Sequence, residues 1–82
     1  MDEAQAVQLV IDVVSTSRAI DPGLLSQETN FVDDLGFDSL DASELLAALH
    51  GATGRQLAIT DLSELRTVGQ VARALAVQEA LR

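Results

Sequence analysis

Asp33-Asp34-Leu35-Gly36-Phe37-Asp38-Ser39-Leu40-Asp41-Ala42-Ser43-Glu44-Leu45-Leu46 is the stretch whose reading decides the fold. A glycine lets the backbone turn, and the residues after it read as the first turns of a helix. Ser39 stands at that entry, among carboxylates. Two roles are open to it: N-cap of the helix, a position serine and aspartate often fill, or exposed hydroxyl offered to another protein. Asp38 can cap the same end and leave Ser39 free inside the first turn. Asp33, Asp34, Asp38, Asp41 and Glu44 crowd the site, with no Lys or Arg between Glu28 and Glu44. That is more negative charge than a cap or a helix dipole requires.

Around this stretch the chain is 82 residues long and reads as a single domain over 1–82, at the small end of what folds without staples. It has no cysteine, which removes disulfides and thiolate metal sites and implies no oxidising compartment. Hydrophobic residues make up 48% of the chain, yet Phe31 and Phe37 are the only aromatics. A core of Leu, Val, Ile and Ala suits helix packed on helix, so an all-α bundle is expected. The formal net charge is −8 and every basic residue is an arginine. That balance disfavours nucleic acid and anionic lipid, which need basic patches, and favours partners with basic docking surfaces. No apolar run approaches the roughly 20 residues of a membrane span. With the opening Met1-Asp2-Glu3 in place of a basic leader, a soluble, monomeric, cytoplasmic protein is expected.

In chain order, Val7, Val10, Ile11 and Val14 recur at the helical period and predict a helix over 3–17, with Asp2 as its cap. Residues 15–30 carry turn signals, Asp21-Pro22-Gly23 above all. Ile20, Leu24 and Leu25 are apolar enough to pin this connection to the bundle, with a short helical turn at 22–25. Phe31 and Leu35 are expected to plug the core. The second helix is predicted over 39–50, with Ala42, Leu45, Leu46 and Leu49 inward and Leu40, Ser43, Glu44 and Ala47 on another face. Leu40 has two readings, core leucine or partly exposed contact. Gly51 or Gly54 supplies the left-handed cap. Leu57 and Ile59 read as loop residues plugging the core, followed by a short helix over 61–65 behind Thr60. Thr67 and Gln70 form a capping box for a last helix to about Leu81, whose buried stripe is Val68, Val71, Ala72 and Leu75. The expected fold is three main helices and one short one.

Independent catalysis has little to work with here. A serine attacks only when a base takes its proton, and the one histidine, His50, lies eleven residues along the same predicted helix, about 16 Å away at 1.5 Å per residue. Gly51-Ala52-Thr53-Gly54 lacks the lysine and spacing of a phosphate loop. A calcium loop needs oxygen ligands at positions 1, 3 and 5, glycine at 6 and glutamate at 12. Counting from Asp33 puts Glu44 at position 12, but Leu35 and Phe37 at 3 and 5 and Asp38 at 6. No metal ligand set is expected.

Leu35-Gly36-Phe37-Asp38-Ser39-Leu40-Asp41, about forty residues into an acidic chain of about eighty, closely resembles the attachment motif of acyl carrier proteins. The resemblance extends over nearly the whole chain. It implies a small helical bundle that is a carrier and not an enzyme, with 4′-phosphopantetheine from coenzyme A attached to Ser39 and acyl groups held on it as thioesters. It also implies recognition by partners through Asp38, Leu40, Asp41 and Glu44, with Ala47 on the same helix and Ile59 in the loop near the arm. Implied partners are a phosphopantetheinyl transferase and acyl-processing enzymes such as a ligase, ketosynthase or acyltransferase. Phe37 and Asp41 look like an acyl carrier more than a peptidyl or aminoacyl one. Two departures from many fatty-acid carriers stand out: His50-Gly51-Ala52-Thr53 replaces an acidic, phenylalanine-containing helix end, and Thr60 stands where proline often follows the isoleucine. They point to polyketide or other natural-product biosynthesis ahead of primary fatty-acid synthesis. Outside the class, the rival reading is an acidic helical interaction module without a prosthetic group.

Overall fold

The computed structural model of the chain describes residues 2–54 and 66–80. Three α-helices, α1 (Glu3–Arg18), α2 (Ser39–Thr53) and α3 (Val68–Ala80), follow one another, with a 3₁₀ turn at Pro22–Leu24 between the first two. Among the described residues there is no strand, only an isolated bridge between Asn30 and Thr67. The result is the small all-α bundle that an aliphatic, aromatic-poor composition implies. The short helix expected over 61–65, with Leu57 and Ile59 before it, lies outside the described residues.

Helix α1 begins in a capping box: Asp2 Oδ1 accepts the Gln5 N–H at 2.7 Å and Gln5 Oε1 accepts the Asp2 N–H at 3.0 Å. Its buried stripe is Ala6, Val10, Ile11 and Val14. Val7, expected in that stripe, lies at its rim, half-buried, while Ala6 takes the inner position. The helix runs to Arg18 and ends on Ala19, whose φ of 55° puts a non-glycine residue in the left-handed region. The Ile20 N–H returns to the Ser15 carbonyl and the Ser15 hydroxyl donates to the Ile20 carbonyl, so the end is sealed despite that strain.

The long connection to α2 is pinned, as its apolar residues imply, though not by all of them. Leu25 is buried but Leu24 is 77% exposed, which corrects the expectation that it faces inward. The 3₁₀ turn is started by Asp21 accepting the Gly23 N–H at 2.8 Å and ends on Leu24, and the change to extended backbone at Leu25 separates the directions of the two leucines. Beyond it, the backbone is stitched to the start of α3 by three bonds: Phe31 N–H to the Arg66 carbonyl, Val68 N–H to the Thr29 carbonyl and Gly69 N–H to the Gln27 carbonyl. These bonds give backbone groups of the connection their partners and tie it to the bundle.

Helix α2 continues past His50 to Thr53. Gly54, with φ 71° and its N–H on the His50 carbonyl, is the left-handed cap, while Gly51 lies within the last turn. Leu45 and Leu49 are buried, with Ala42 and Leu46 partly so. Helix α3 starts with the expected box, Gln70 N–H on Thr67 Oγ1 and Thr67 N–H on Gln70 Oε1, and buries Val68, Val71, Ala72 and Leu75. Helix α1 packs most extensively on α3 and more lightly on α2. These side chains meet in one cluster around Phe31, which is fully buried. Each fully buried aliphatic or aromatic side chain is worth about 1.5–3 kcal/mol relative to exposure.

Candidate functional site

The approach to α2 is a closed turn built by Asn30. Its Oδ1 accepts the N–H groups of Val32 and Asp33 at 2.9 and 2.8 Å, and its own N–H donates to Asp34 Oδ2 at 2.7 Å. Gly36, with φ 69°, then reverses the chain, and the Phe37 N–H returns to the Phe31 carbonyl. A residue with a side chain adopts that φ only at a cost, which explains glycine here. The turn brings the Phe37 ring within 5.4 Å of the Phe31 ring, tilted by 39°. Phe37 is buried, so the entry to α2 rests on an aromatic pair in the core.

Asp38, not Ser39, is the N-cap. Its Oδ1 accepts the Asp41 N–H at 2.9 Å and the Asp41 Oδ2 accepts the Asp38 N–H at 3.1 Å. Ser39 is thereby freed as the first residue of the helix. It is exposed, and neither its hydroxyl nor the backbone N–H groups of Ser39 and Leu40 make a hydrogen bond among the described residues. Leu40 is 67% exposed, which decides between its two readings in favour of a surface residue. Glu44 and Ala47 are exposed one and two turns on, and Leu40, Glu44 and Ala47 share a helix face by spacing. Ile59 lies outside the described residues.

Asp41 differs from the free steering carboxylate that its sequence position suggests. Its side chain is only 19% exposed and pairs with Arg18, Nη2 to Oδ1 at 2.6 Å. The Asp38 N–H, and then the Arg18 guanidinium, hold its carboxyl below the usual aspartate range against the opposing effect of burial. The Arg18 guanidinium also lies over the Phe37 ring, 4.6 Å from its centre. Arg18 has no signal in the sequence beyond being a charge near a helix end. Of the acidic cluster, then, Asp34 locks the approach turn, Asp38 caps, Asp41 pairs with Arg18, and Asp33 and Glu44 are left exposed.

This arrangement presents an exposed hydroxyl at the start of a helix. The one histidine, His50, is exposed in the last turns of the same helix, eleven residues beyond Ser39. Among the described residues no three His, Cys, Asp or Glu side chains are grouped to hold a metal. The residues do fit a phosphate ester on Ser39. Its oxygen is accessible, and the N–H groups of Ser39 and Leu40, unpaired among the described residues, stand at the positive end of a 15-residue helix, a favourable place for phosphate charge.

Comparison with known proteins identifies the family. Residues 8–75 match the family model described as the phosphopantetheine attachment site. An acyl carrier protein of Syntrophobacter fumaroxidans is 35% identical over 80 residues, covering 98% of this chain and 99% of its own. An acyl carrier protein of Bdellovibrio bacteriovorus is 36% identical over 63 residues, covering 77% of this chain and 81% of its own. One from Chlorobium phaeobacteroides is 34% identical over 70 residues, covering 85% and 90%. The chain belongs to the acyl carrier protein family, whose cofactor is 4′-phosphopantetheine. Membership implies dealings with a phosphopantetheinyl transferase and with acyl-processing enzymes. Among the described residues no helix is long and apolar enough to cross a membrane.

Proposed function

We propose that Ser39 is the attachment point of 4′-phosphopantetheine, and that the protein carries acyl intermediates in polyketide or related natural-product biosynthesis. The observation that carries the attachment reading is the exposed, unpartnered Ser39 hydroxyl at the first position of α2, released from capping by Asp38. When bound, the group supplies a thiol on a flexible arm that holds acyl groups as thioesters and raises their effective concentration at each enzyme visited. The chain's own residues do the rest. Asp38 fixes the helix start, the Ser39 and Leu40 N–H groups face the phosphate, and Asp38 and Glu44 draw basic partner surfaces at salt-sensitive rates. Exposed Leu40 and Ala47 give those partners an apolar contact on the same face; Asp41 and Ile59 complete the recognition set we assign. The natural-product reading is supported by the α2 end, His50-Gly51-Ala52-Thr53, which lacks the acidic, phenylalanine-containing finish of many fatty-acid carriers.

The test has two arms. Apo protein incubated with coenzyme A, magnesium and a broad-specificity transferase should gain one phosphopantetheinyl mass, and Ser39→Ala none. The loaded protein is then offered to a polyketide ketosynthase and to a fatty-acid elongating ketosynthase. Preferential turnover by the first supports the pathway assignment, and preferential turnover by the second overturns it.

A further inference from the structure

Arg18 is the last residue of α1 and lies 23 positions before the aspartate it pairs with. Its guanidinium does two things at once: one face covers the Phe37 ring and one nitrogen bonds the Asp41 carboxylate. Phe37 precedes the cap and Asp41 closes the capping box, so the two residues that Arg18 holds flank Asp38-Ser39-Leu40 on both sides. The α1 and α2 helices pack more lightly than α1 and α3, so a side-chain bridge between them adds to a modest helix contact. The Arg18 side chain is 35% exposed and that of Asp41 19%, so the pair is partly shielded from water and from salt.

We infer that Arg18 is a positioning residue for Ser39: by bridging Phe37 and Asp41 it holds the first turn of α2 against the end of α1, in the orientation presented to partner enzymes. This rests on Ser39 as the attachment point, but the holding action itself is a property of the free protein and is measured there.

The experiment uses the full apo chain, with amide hydrogen exchange read residue by residue alongside transferase kinetics. In Arg18→Gln, exchange at Asp41 and Ala42 should quicken about fivefold, the effect of a well-placed, partly shielded ion pair. The α3 amides of Val71 and Leu75 should exchange as in the wild type, and kcat/KM for modification should fall by a similar factor. Arg18→Lys, which keeps the charge but not the planar stack, should lie between the two. Arg18→Gln combined with Asp41→Asn should be no worse than the poorer single variant. Unchanged exchange at Asp41 and Ala42 in Arg18→Gln, or losses that simply add in the double variant, overturns the proposal. If Arg18→Gln does not fold, Arg18→Lys decides it: wild-type exchange at Asp41 and Ala42 overturns the proposal, faster exchange supports it. Modification of Ser39→Ala would instead sink the attachment reading and leave the exchange result standing, so the two failures are separable.

Discussion

Asp38 and Asp41 hold each other across the first turn of α2, each carboxylate accepting the other's backbone N–H, at 2.9 and 3.1 Å. Two like charges sit side by side there because each answers a backbone donor that the helix start leaves unpaired, and because Arg18 offsets one of them. Asp38→Ala should therefore cost about 1 kcal/mol. For a domain of this size that is a fall of about 4–8 °C in Tm, measured by circular dichroism on the apo protein.

The left-handed positions make opposite predictions. Among the described residues beyond its chain neighbours, no atom lies within 4 Å of a Cβ built on Gly54, so Gly54→Ala meets none of them and suffers the backbone penalty at φ 71°, about 1–2 kcal/mol. Gly51 is helical and exposed, and a Cβ there likewise meets no atom of the described residues, so Gly51→Ala should stabilise by about 0.5–1 kcal/mol. Ala19→Gly should also stabilise, but by less than Gly54→Ala costs, because the added glycine enlarges the unfolded ensemble. Urea midpoints of the three variants check the order.

Acid should loosen the start of α2. The Asp38 N–H and Arg18 lower the Asp41 pKa in the folded chain, so below the ordinary aspartate value the unfolded chain binds more protons. The stability this carboxyl contributes is present in full above the unfolded value of about 4 and is lost as pH falls through the lower folded one. Asp41→Asn removes the contribution at every pH. Its stability should fall less steeply than that of the wild type on acidification from neutrality, as read from urea midpoints across the range.

Glu44 and Leu40 are exposed, so Glu44→Gln and Leu40→Ala should change stability by no more than about 0.5 kcal/mol. Their effect belongs to encounter with partners. Glu44→Gln should lower kcat/KM for transferase modification by up to about fivefold and make it less sensitive to salt. Leu40→Ala should lower it without altering the salt dependence.

Much of this was legible from residue order, and the parts that were not have physical reasons. The inward residues of α2 and α3 follow from helical period, because burial of an apolar stripe is a local pattern. The choice between Asp38 and Ser39 as cap could not be made from identity, since both are good caps. What decides it is Asp41, three residues beyond Asp38, closing the box. Gly51 and Gly54 were equivalent as caps until the helix was seen to run to Thr53. Leu24 looked like an anchor because it is apolar, and its outward side is set by the 3₁₀ turn. Arg18 was invisible as a partner of Asp41 and Phe37, because the pairing depends on how a long connection folds back and not on any spacing along the chain.

The most direct measurement is the intact mass of the apo protein after incubation with coenzyme A, magnesium and a broad-specificity transferase, with fragmentation of the peptide that contains residues 33–46. We expect one phosphopantetheinyl group, located on Ser39, and Ser39→Ala remaining at its apo mass. No gain in the wild type, or the same gain in Ser39→Ala, would contradict the assignment of Ser39 as the tether.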